Sequence, residues 1–214
     1  LFGVASYRVG VLGNLFARIG SGAMPSLLPL LLQQALGFSP AQAGMMMLPV
    51  ALASMGIKRP ITRVIHRLGY RPVLMGNTVL LGLMIAGFAL MTPQQPLWLR
   101  IVQLALFGAA NSTQFTAMNA VTLKDLAPQR AASGNSLFSM VQMLGMSLGV
   151  TCAAALLHAF SDWLGGAGAA QSLPAFRATF VAIGLMTMGS AAIFWQLRPD
   201  EPRQPPTGAL VDVG

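Results

Sequence analysis

Amides and hydroxyls recur inside stretches of this sequence that are otherwise almost wholly apolar. One stretch carries Asn111, Ser112, Thr113, Gln114, Asn119 and Thr122. Of its residues, Asn111, Phe115, Met118, Asn119 and Thr122 fall on one face at helical spacing, with Gln114 off that face. A second stretch repeats the arrangement with Asn135, Ser139, Gln142 and Met146, at offsets of four, seven and eleven. Nearer the N-terminus stand Arg18, Ser21, Gln33 and Gln34. Two kinds of chemistry suit such groups. They hydrogen-bond between helices, at about 0.6 kcal/mol each on average, or they wall a watery cavity in which a solute is handled. The residue types leave both open.

The ionisable residues narrow the chemistry further. All five acids, Asp125, Asp162, Asp200, Glu201 and Asp212, lie outside the apolar stretches, so no carboxylate is placed to load and release a proton within them. Arg18 is the one ionisable group well inside a stretch; it either snorkels to an interface or faces an interior. His158 stands near the end of its stretch, where an interfacial position is expected. The single cysteine, Cys152, can form no internal disulfide and hold no zinc alone. An intramembrane hydrolase would need a Ser/His or Asp/Asp pair at depth, which these positions do not offer. Neither an enzyme nor a cofactor is expected. Fourteen methionines suit an adaptable apolar surface.

What must position these groups follows from composition. Of 214 residues, 55% are hydrophobic and 8% charged, against roughly 25% charged in an average soluble domain. The mean hydropathy is +0.66. These values exclude an ordinary soluble domain, a disordered chain and a disulfide-stapled scaffold. Apolar runs near the roughly 20 residues needed to cross a bilayer predict spans at about 11–35, 41–58, 72–92, 97–121, 133–160 and 176–197. They are separated by Gly37 to Pro40, Lys58 to Arg71, Thr92 to Pro96, Lys124 to Arg130 and Ser161 to Pro174. Pro25, Pro29 and Pro49 should kink or break their helices. Gly145 with Gly149, Gly82 with Gly87 and Gly20 with Gly22 offer small surfaces for close packing. Residues 1–197 are thus expected to form one six-span unit and 198–214 a disordered cytoplasmic tail.

The net charge of +8 does not signal nucleic acid. Lys58, Arg59, Arg63, Arg67 and Arg71 cluster between two spans, and no aromatic residues interleave them as a stacking platform. With Arg8, Lys124, Arg130, Arg198 and Arg203 they fall on one side of the predicted topology; Arg100 and Arg177 fall on the other. That bias places both ends of the segment in the cytoplasm. The chain opens at Leu1 within an apolar stretch, so a fragment of a longer polypeptide is expected.

The run Thr62-Arg63-Val64-Ile65-His66-Arg67-Leu68-Gly69-Tyr70-Arg71 resembles the loop motif G-x-L-A-D-R-x-G-R-R of the major facilitator superfamily. Arg67, Gly69 and Arg71 match, while Thr62, His66 and Tyr70 depart as in a degenerate second-half copy. Leu28 to Gln33, Gly37 to Pro40 with Ala43-Gly44, Ala132 to Ser136 and Gln142 to Gly149 are similar to the drug:proton antiporters of about 14 spans. The resemblance covers about residues 1–197. It implies an all-α polytopic fold, the C-terminal six-helix half of a secondary active transporter working by alternating access in a bacterial inner membrane. It also implies proton-driven efflux of small amphipathic or cationic compounds, with the proton-coupling acids in the N-terminal half. Arg63, His66, Arg67, Gly69 and Arg71 would form the cytoplasmic loop motif. Arg18, Gln33, Asn111, Gln114, Asn119, Asn135, Ser139 and Gln142 are the candidates for the substrate pathway. The expected partners are the lipid bilayer, a small-molecule substrate and protons. The alternative is a complete six-span protein acting as a dimer or as a non-transporting membrane partner.

Overall fold

A computed structural model describes residues 5–123, 128–164 and 169–194, and among these every regular element is a helix. The predicted tail, and Lys124 with its neighbours, lie outside the described residues.

The first rod is α1 (Ala5–Gly22), α2 (Met24–Leu30) and a π-helical turn, Leu31–Ala35. It breaks at Ala23, just before Pro25, and loosens into the π turn just after Pro29. Proline brings no N–H to the helical ladder, so the hydrogen bonding must shift around it. Gly37, at φ 74°, takes a left-handed conformation that a side chain would resist and so ends the rod. Ser39 and Gln42 then cap α3 (Pro40–Met46) reciprocally. The second rod bends at Met47, ahead of Pro49, into α4 (Leu48–Gly56).

The basic stretch is not an irregular loop. It forms α5 (Lys58–Leu68), with Ile61 and Ile65 buried and Arg63 and Arg67 exposed. Ile57, Ile61 and Ile65 recur every four residues, which is the helical period. Gly69, at φ 83°, ends it, which gives that motif position a physical reason to be glycine.

The remaining rods are α6 (Tyr70–Gly87) with a 3-10 turn Phe88–Leu90, α7 (Leu97–Leu123), α8 (Pro128–Trp163) and α9 (Ala169–Gly189) with α10 (Ala191–Phe194). Among the described residues, four segments are long and apolar enough to cross a membrane: Val11–Ala35, Tyr70–Leu90, Ala132–Trp163 and Leu173–Phe194. The other two predicted spans are helical as well. One is divided at Met47 into short helices, and the other is α7, diluted by its amides.

The most extensive packing joins α1 to α8, α4 to α7 and α6 to α9. Exchanging the first three rods for the last three leaves this pairing unchanged. Matching contacts carry the symmetry into detail. A Cβ on Gly22 of α1 would lie 2.8 Å from the Met146 Cα, and one on Gly108 of α7 would lie 2.8 Å from the Val50 Cα. Internal repeats of this kind are the construction of many transporters. Gly145 and Gly149 meet the α1 backbone at Leu15, Arg18 and Ile19, as their spacing suggested. Gly87 faces open space instead; the partner of Gly82 is Gly184 across the α6–α9 seam.

One apolar core gathers Leu27, Leu28, Phe88, Phe107 and Phe180, with Phe88 edge-on to both other rings at 5.5 and 5.8 Å. A second, beside α5, gathers Ile61, Ile65, Leu74, Met118, Phe138 and Phe194. Coverage is uneven. The most apolar window of the first rod is 61% buried and that of α8 only 17%.

Candidate functional site

Arg18 marks the place where α1, α7 and α8 converge. It is 6% exposed. Its guanidinium lies over the Phe115 ring, 4.3 Å from the centroid, and its Nε donates to Asn14 Oδ1 at 3.4 Å. Gly145 admits it, because a Cβ there would stand 3.0 Å from the Arg18 Cβ. Asn14 sits one helical turn before Arg18 and was not singled out from sequence. Its signal is the four-residue offset on a strongly polar stripe.

Besides Arg100 Nε at the first turn of α7, three buried polar atoms on these helices have no partner among the described residues: Asn14 Nδ2, Asn111 Oδ1 and Gln142 Nε2. Such orphans are uncommon in native interiors, and each calls for an explanation. They lie on three different helices. Packing between those helices has therefore not consumed their hydrogen-bonding capacity.

The other candidates separate into different settings. Gln114 belongs to the α6–α7 seam: its Nε2 donates to Thr78 Oγ1 at 2.7 Å, and its Oε1 accepts from Asn77 Nδ2 at 2.7 Å. Asn77 also donates to the Ala110 carbonyl at 2.9 Å. Asn119 is half-buried and donates to the Phe115 carbonyl of its own helix at 2.8 Å. Asn135 is exposed and Ser139 half-buried along α8. Gln33, in the π turn, borders a cleft of about 550 Å³ with Gln34, Thr92, Gln94 and Arg177, at the end of the bundle away from α5.

In the basic motif, Arg63 and Arg67 are exposed and Arg71 half-buried, while the side chain of His66 lies outside the described residues. His158 is exposed and 3.6 Å from Asp162, an arrangement of an interfacial pair. Arg100 exceeds its role as a topology marker. Nearly buried, it donates to the Thr92 and Pro93 carbonyls at 2.7 and 2.8 Å and lies 5.1 Å from the Phe38 ring centroid. It fastens the turn between α6 and α7.

The arrangement defines a multi-pass membrane protein with polar atoms held in reserve between its helices. It is built as half of a solute transporter. The Major Facilitator Superfamily model matches residues 10–211, and the chain belongs to that family. Among curated proteins it is similar to one provisionally named multidrug resistance protein MdtD. The version from Pectobacterium atrosepticum is 42% identical over 204 residues, covering 95% of this chain and 44% of the relative. That from Serratia proteamaculans is 47% identical over 161 residues, covering 75% and 34%. That from Escherichia coli O9:H4 is 41% identical over 202 residues, covering 94% and 42%. The chain spans less than half the length of these relatives.

Proposed function

We propose that this chain works as the C-terminal half of a secondary active transporter that exports small amphipathic compounds by alternating access, driven by the proton gradient. The observation that carries the reading is the set of unspent polar atoms on α1, α7 and α8. A helix seam made only for packing would have paired them; a pathway wall keeps them for a passing solute and its water. The names of the relatives favour drug-like cargo. A cationic compound fits only where the charge of Arg18 is balanced by an acid from outside this segment. Proton coupling belongs to that outside part too, because Asp162, the sole acid among the described residues, sits at an exposed helix end.

The reading places the chain in a bacterial inner membrane with α5 and both ends of the segment in the cytoplasm. The asymmetry of Lys and Arg supports that orientation. Two measurements test the proposal. Cysteines placed at Ser39 and at Arg67 should react with an impermeant reagent from outside at Ser39 and not at Arg67; the reverse pattern overturns the topology. The intact gene product in inverted vesicles should accumulate a lipophilic dye when a proton gradient is imposed, and residues 1–214 alone should not. Dye transport by 1–214 alone would favour a six-span dimer.

A further inference from the structure

Arg18 is a permanent cation about two helical turns inside the first apolar span. A charge taken out of water at such depth is held only when it is paired, or when it faces something that pairs with it. The described residues do not neutralise it. Phe115 offers a ring face and Asn14 a carbonyl oxygen, both uncharged. The terminal nitrogens of the guanidinium have no hydrogen-bond partner among the described residues. Asp162 is engaged with His158 at the exposed end of α8.

The unspent atoms on α1 and α8 are donors, while the one on α7, Asn111 Oδ1, is an acceptor. Asn14 Nδ2, on the same stripe of α1, is a donor. Gln142 Nε2, three residues before the Gly145 that packs on Arg18, is also a donor. Donors on the two helices that meet at a fixed cation suit an anion. The planar fork of a guanidinium matches the two oxygens of a carboxylate.

We propose that Arg18 receives a carboxylate, with Asn14 and Gln142 as auxiliary donors. This rests on the reading of α1, α7 and α8 as a pathway wall. The carboxylate belongs to the cargo or to an Asp or Glu of the longer protein beyond this chain, and the two sources predict different behaviour.

The test uses the intact gene product in detergent and in vesicles. Benzoate and its neutral amide, benzamide, serve as probes of binding. A fluorescent aromatic carboxylate and its methyl ester serve as probes of transport. With cargo as the source, benzoate and not benzamide raises the melting midpoint. Arg18→Gln abolishes that rise, Arg18→Lys keeps part of it, and transport of the acid falls about tenfold or more with the ester unaffected. With a protein carboxylate as the source, benzoate leaves the wild type unchanged. Arg18→Gln then impairs both transport probes alike, and neutralising one acid elsewhere in the protein restores them. Either result supports the pairing.

Wild-type midpoint and wild-type transport of both probes in Arg18→Gln would overturn it. Should Arg18→Gln fail to fold, Arg18→Lys decides. A benzoate rise retained in Arg18→Lys, or its folding with activity, supports the proposal; loss of Arg18→Lys with no benzoate rise in the wild type overturns it. Absence of transport by the wild type would count against the functional reading alone, because the melting titration still reports on Arg18.

Discussion

The α6–α7 seam and the α1–α8 seam contain the same kind of residue and treat it in opposite ways. Gln114 sits between Asn77 and Thr78, with its donor and acceptor both used at 2.7 Å. Asn14 is buried one turn before Arg18 and Gln142 half-buried one turn before Gly145, and each has a buried donor left over. An amide that finds its complement on the neighbouring helix is part of the scaffold. One that stays unsatisfied among well-packed glycines has its complement elsewhere. On the proposed reading of α1, α7 and α8 as a pathway wall, the contrast separates stability from function within a single residue type.

Three substitutions would sharpen or break that contrast, and they differ in expected severity. Gly184→Val should be the most damaging. A Cβ at Gly184 would lie 2.7 Å from the Gly82 carbonyl oxygen and 2.8 Å from the Ala86 Cβ, so α6 and α9 must separate. The expected loss is about 3 kcal/mol or more, visible as little folded protein in the membrane. Gln114→Leu should cost about 1 kcal/mol, since Asn77 keeps its bond to Ala110 while Thr78 loses a donor. Its melting midpoint should drop with no change in the range of compounds exported. Gln142→Ala should change stability by less than about 0.5 kcal/mol, because no protein partner is lost at Nε2. Its export profile should nevertheless change. An altered profile in Gln114→Leu, or an unaltered one in Gln142→Ala, would erase the distinction between the two seams.

Much of the fold was legible because hydrophobic periodicity and turn chemistry are local. The predicted helices all form, Pro25 and Pro49 fall beside the breaks at Ala23 and Met47, and Gly145 with Gly149 lies at a close crossing. The amphipathic α5 was hidden beneath its charge, although Ile57, Ile61 and Ile65 spell the helical period. What sequence could not show is which neighbour a given face meets. Gln114 and Asn111 are three residues apart on one helix, and only the packing of α6 assigns Gln114 to a seam. Gly82 has its true counterpart more than a hundred residues away at Gly184. Asn14 carried a weak local signal because its importance depends on Arg18 being covered by α7 and α8.

The capped turn between the first two rods bears on how the chain enters a membrane. Leu36 to Gln42 contains no charged residue. Leu36 and Phe38 donate to the Leu31 and Leu32 carbonyls, and Ser39 and Gln42 exchange backbone-to-side-chain bonds. A backbone group without a partner in hydrocarbon costs several kcal/mol, and the amides of Leu36, Phe38, Ser39 and Gln42 are already paired. Were the first two rods to enter a bilayer as a helical hairpin, those four amides would reach its far side without being stripped of water.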